Sequence, residues 1–106
     1  MRRKEKAAKE QVDDGRLLPG EHPSAGHPDD ALHWALVYRE LVEFKNLAID
    51  RLLIDTVGLR EEARQEIEST DLVVLRAERD RMQRRAESWR DRYRELVGEA
   101  KMRPAE

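Results

Sequence analysis

The chain has no cysteine, which excludes disulfides, thiolate metal sites and cysteine nucleophiles. Aromatic residues are almost as scarce: Trp34, Tyr38, Phe44, Trp89 and Tyr93 are the full set among 106 residues. Hydrophobic residues reach 39% and charged residues 42%, against about half and about a quarter in an average globular domain. Such a chain has too little apolar volume for a thick core, so an elongated or oligomeric helical form is expected. No apolar run approaches the roughly 18–20 residues needed to cross a bilayer. β-branched residues are few and show no period-2 alternation, so strands are not expected. The basic start (Arg2, Arg3, Lys4, Lys6, Lys9) has no apolar segment after it, which removes a secretory signal and makes a cytoplasmic location the expectation. Arginine outnumbers lysine by 16 to 5. With abundant Ala, Leu and Val, that bias suggests a GC-rich bacterial source.

What remains is helical periodicity and charge. Three of the four prolines and three of the five glycines fall between Met1 and Pro28. Apolar periodicity is absent there, so residues 1–28 are expected to form a flexible, charged tail. Helix is predicted from about residue 30 to 57, with Asp29 or Asp30 as the N-cap. Its main stripe holds Trp34, Val37, Tyr38, Leu41, Val42, Ala48, Ile49, Leu52 and Leu53. Lys45 falls inside that stripe and must snorkel or pair. A second, narrower stripe of Leu36, Leu47 and Ile54 lies roughly opposite, so this helix needs more than one neighbour. Gly58 is the predicted left-handed stop.

A second helix is predicted from about residue 59 to 101. Its seam runs through Leu72, Leu75, Met82, Ala86, Trp89, Tyr93 and Leu96, with Arg79 as a polar intrusion of the kind that sets register. The phase slips at Ser69-Thr70-Asp71, where a kink is possible because these residues cap helices better than they extend them. Unbroken, the second helix would be about 64 Å long against about 40 Å for the first. It would then overhang, leaving Trp89 to Val97 for another chain to cover. The overhang is the favoured reading. The predicted fold class is all-α: a long antiparallel helical hairpin, coiled-coil-like, that completes a helical bundle by self-association.

Chemistry-bearing patterns are weak. His22, His27 and His33 lack the paired Glu-x-x-His spacing of di-iron bundles, so solvated histidines are the better account and no metal is expected. The many carboxylates interleave with Arg39, Arg60 and Arg64 at helical spacing, as on a salt-bridged face, and not in a cleft that shifts their pKa. Gly15, Gly20 and Gly26 lack the Lys-Ser/Thr of a phosphate loop. No catalytic residue and no cofactor is expected.

Charge is uneven although the net is only −2. The segment 29–71 is acidic by six charges, whereas 76–95 carries eight arginines and is basic by three. Those arginines are expected mainly to pair with acidic helix. The sharper alternative is that Arg81, Arg84, Arg85, Arg90 and Arg92 contact phosphates of nucleic acid, together with the basic tail. The leading expectation is a non-catalytic protein–protein interaction module, a homodimer, with Trp34, Tyr38, Leu41, Leu75, Met82, Trp89, Tyr93 and Leu96 as its interface with a second copy or with another protein partner. Trp89 and Tyr93, one turn apart, are expected mainly as core or interface, with a partner-binding hot spot as the sharper alternative.

Overall fold

A computed structural model describes residues 15–102. Among them the chain is helical outside one N-terminal segment, the connection at 56–60 and a break at Thr70, with three helices: α1 (Pro28–Asp55), α2 (Glu61–Ser69) and α3 (Asp71–Met102). Strand is absent among the described residues. The described part is elongated, 69 × 25 × 21 Å, as the low apolar content requires.

The start of α1 is set two to three residues earlier than the aspartates suggest. His27 is the N-cap, in extended backbone, and its imidazole Nδ1 accepts the Asp29 amide at 3.1 Å. Pro28 opens the helix, where its missing N–H costs nothing, and it holds His27 out of the helical region. Asp29 and Asp30 therefore sit in the first turn, facing the positive end of the helix. The other end also differs from expectation. α1 stops at Thr56 in right-handed backbone, with its hydroxyl bonded to the Leu53 carbonyl at 3.0 Å. Gly58 is not left-handed; the positive-φ glycine is Gly20. A hydroxyl and a turn from Leu59 N–H to the Thr56 carbonyl (3.1 Å) satisfy the helix end without that cap.

The second helical stretch is broken, so the favoured overhang is corrected. Thr70 leaves helical backbone (φ −121°, ψ −80°) between α2 and α3. The Thr70 and Ser69 hydroxyls both bond the Glu66 carbonyl, at 2.7 and 3.2 Å, diverting it from the helical ladder. Thr70 then passes its own carbonyl to the Val74 amide, which starts α3. The break leaves α3 at 32 residues, close to the 28 of α1.

α1 and α3 pack along their length, and cross-helix partners rise along one as they fall along the other. Lys45 pairs with Glu78 at 2.5 Å, and Asn46 accepts from Arg79 at 3.3 Å. Farther toward the start of α1, Leu32 and Ala35 lie beside Ala86 and Arg90. Lys45 thus pairs within its apolar stripe, and Arg79 divides its guanidinium between Asn46 across the helix pair and its own neighbour Asp80 at 3.1 Å. The core contains Ala31, Tyr38, Met82, Trp89 and Leu96, flanked by Trp34, Ala35, Leu41, Val42, Ala86 and Tyr93. Met82, Trp89 and Leu96 are one heptad apart, which is why the same edge of α3 faces α1 through three successive repeats.

Candidate functional site

The core continues beyond the two long helices because residues 15–27 fold against them. Leu18 and Ala25 pack on the same cluster. This corrects part of the flexible tail expected over 1–28; residues 1–14 lie outside the described residues. The local cause is Leu18-Pro19-Gly20-Glu21. Pro19 supplies the φ of a turn's second position, and Gly20 takes φ +84° at the third. The turn closes with the Glu21 amide donating to the Leu18 carbonyl at 3.0 Å. A Cβ on Gly20 would sit 3.8 Å from the Trp34 ring, so the constraint there is conformational, not steric.

That turn delivers Glu21 into the core, with its side chain fully buried. Three donors from three elements converge on its carboxylate. The Tyr38 hydroxyl of α1 donates to Oε1 at 2.5 Å, the Trp89 indole Nε1 of α3 to Oε2 at 2.7 Å, and the Leu18 amide to Oε1 at 2.9 Å. The Arg85 guanidinium stands 3.9 Å from Oε2. Burial pushes the Glu21 carboxyl up. The Tyr38, Leu18 and Trp89 hydrogen bonds and the Arg85 charge outweigh it, so its pKa ends below the ordinary 4.5. Tyr38 moves the other way. Burial, the hydrogen bond to Glu21 and the carboxylate's charge all raise its hydroxyl above 10.0, against smaller opposition from Arg85 and Arg81. The carboxylate is therefore held ionised and the phenol neutral, as a buried tie between the N-terminal segment and both long helices.

Arginines of α3 fasten the rest of the segment. Arg81 is buried and donates from Nη1 to the Arg16 carbonyl at 3.4 Å, and Arg92 donates from Nε to the Ala25 carbonyl at 3.4 Å. Arg92 also pairs with Glu95 at 3.4 Å, and Arg94 with Asp91 at 3.8 Å. Of the five arginines considered for phosphate contact, Arg81, Arg85 and Arg92 face the N-terminal segment, and Arg84 and Arg90 are exposed. The expected pairing of these arginines with the acidic helix is corrected: their described partners are Asp80, Asp91 and Glu95 of α3 itself and Glu21 and backbone carbonyls of the N-terminal segment, and Arg79 alone is seen to reach α1, at the uncharged Asn46.

The eight residues considered for an interface divide by burial. Tyr38, Met82, Trp89 and Leu96 are buried within this chain, Trp89 to 4% exposure, and Trp34, Leu41, Leu75 and Tyr93 are half-buried. Trp89 needs no second chain to cover it, because Glu21 and its turn do so. The exposed apolar residues lie elsewhere. Leu36, Leu47 and Ile54, the second stripe of α1, are turned outward together with Phe44; exposures of Phe44, Leu47 and Ile54 are 66%, 68% and 66%. Sequence periodicity identified the three-residue stripe but not its exposure, and Phe44 fell on neither stripe.

His22 and His33 are exposed, His27 caps α1, and His33 meets the Trp34 ring edge-on at 5.0 Å between centroids. No three metal-ligating side chains gather among the described residues. None of the described helices is long and apolar enough to cross a membrane. Neither a protein-family model, a curated protein nor a solved structure matches the chain.

Proposed function

We propose that the chain is a non-catalytic helical interaction module that self-associates through the outward face of α1. The observation that carries this reading is the exposure of Leu36, Phe44, Leu47 and Ile54 on the side of α1 away from the core. Scattered exposed leucines are ordinary, but a stripe in register along one helix is the mark of a surface meant to be covered. Its neighbours suit a self-complementary contact, since Arg39 pairs with Glu43 and Arg51 with Asp55 along the helix margins. A two-fold axis beside α1 would join two such hairpins into a bundle, each stripe packing on its own copy. The interface therefore uses the narrow stripe of α1, and the aromatic seam serves as each chain's own core. A nucleic-acid role has less support, because Arg81, Arg85 and Arg92 are directed at the N-terminal segment.

Sedimentation equilibrium or light scattering on the full chain tests this. The expected result is a dimer mass at micromolar concentration that falls to the monomer mass in Leu47→Asp, with helical circular dichroism unchanged. A monomer in the unmodified chain across that range overturns the proposal.

A further inference from the structure

On the opposite side of the molecule, beside the buried Glu21, is a cleft of about 170 Å³ lined by Pro23, Arg85, Ser88, Trp89, Arg92 and Glu95. Pockets for whole drug-sized ligands begin near ~300 Å³, so this one takes a chemical group. Its donors share one face of α3, because residues 85, 88 and 92 are spaced by one and two helical turns.

Those donors have capacity to spare. Arg85 makes no hydrogen bond among the described residues, and its Nε is buried without a partner. Its charge faces Glu21 only at 3.9 Å, beyond hydrogen-bond distance. Ser88, on the same face of α3, is exposed and lines the cleft. Arg92 uses two of its nitrogens at 3.4 Å, the outer limit of a useful bond, and keeps Nη2. A buried guanidinium N–H without an acceptor is costly and rare enough to need a reason. The two guanidinium charges are matched by two carboxylates, Glu21 at 3.9 Å from Arg85 and Glu95 at 3.4 Å from Arg92, so the case for an anion rests on the unpartnered donor and on displacement of Glu95.

We propose that this cleft binds a small tetrahedral oxyanion, the phosphate group of a phosphomonoester or free phosphate, with Arg85, Ser88 and Arg92 as its donors. Three separate donors suit a group with several acceptor oxygens, and arginine is well matched to phosphate. Glu95 would release Arg92 on binding, and Pro23 places the site against the N-terminal segment. Occupancy therefore strengthens the hold of that segment on α3.

The probe is inorganic phosphate titrated into the full chain at constant ionic strength, followed by NMR of the Arg85 Nε and Trp89 indole signals. Glycerol phosphate and acetate form the parallel arms. Saturable shifts at both signals, weakened at least tenfold in Ser88→Ala/Arg92→Gln with the helical circular dichroism of the unmodified chain retained at the titration temperature, are the expected result. Saturation by glycerol phosphate as well assigns the site to phosphomonoesters; saturation by phosphate alone assigns it to the free ion. Equal saturation by acetate overturns the tetrahedral specificity. Shifts that chloride reproduces, or that persist in the double variant, overturn the site altogether.

Discussion

Replacing Glu21 with alanine tests the central structural claim, that a turn in the N-terminal segment ties the two long helices together. The substitution orphans the Tyr38 hydroxyl at 2.5 Å, the Trp89 indole at 2.7 Å and the Leu18 amide at 2.9 Å. A buried donor left without an acceptor costs about 1–3 kcal/mol, and removing one member of a buried charged cluster about 3–5 kcal/mol. The sum is not reached, because residues 15–27 are able to lift off and let water reach Tyr38 and Trp89. The loss is then capped by the docking energy of that segment, and about 2–4 kcal/mol is expected, on the scale of those two costs. In a domain of this size that lowers the melting temperature by at least about 10 °C. Trp89 emission should shift to the red in the same variant, since the indole loses both its acceptor and its cover. Glu21→Gln is the control that keeps volume and one acceptor, and it should fall between. A melting curve for Glu21→Ala within about 0.5 kcal/mol of the unmodified chain, the range of an ordinary surface substitution, with unshifted emission, refutes the reasoning.

The same tie makes two further expectations. Glu21 is depressed below 4.5 in the folded chain, so its stabilisation is complete above that value and drains away as pH falls through the folded pKa; Tyr38 is raised above 10.0, so its share is complete below 10.0 and is lost as pH rises through the folded value. Melting temperature against pH should therefore fall off at both extremes, with the acid limb flattened in Glu21→Gln and the alkaline limb in Tyr38→Phe; unchanged limbs would dismiss the tie as the cause. Gly20→Ala should cost about 1–2 kcal/mol because φ +84° burdens any Cβ, and an increase in limited proteolysis between residues 15 and 27 would report it, whereas equal stability would show that the turn readily adopts another form.

Much of the helical layout is legible in the residues themselves. The main stripe of α1, the Met82–Trp89–Leu96 heptads and the weak point at Ser69-Thr70-Asp71 are all local patterns of period and propensity. Lys45 in the middle of an apolar stripe announces that it must snorkel or pair, and only the packing decides for pairing and names Glu78 as the partner. The Glu21 tie is not legible in that way. Leu-Pro-Gly-Glu reads as a turn, and one glutamate among the chain's 23 acidic groups carries no mark of burial. Its partners are 17 and 68 residues away, and no periodic pattern reaches that far. The available signal was the pair of leucines ahead of Pro19, apolar residues that a wholly solvated tail has little reason to contain.

The seam from Leu72 to Leu96 separates the two kinds of information. Side-chain spacing alone determines that these residues share one edge of a helix, because 3.6 residues per turn returns every seventh residue to nearly the same direction. Spacing is silent about what covers that edge. Competition at Thr70 between hydroxyl and backbone hydrogen bonding decides that α3 begins afresh, and the left-handed Gly20 decides that Glu21 reaches Trp89. Burial of that indole and carboxylate depends on elements distant in sequence arriving together, and only the tertiary structure determines that.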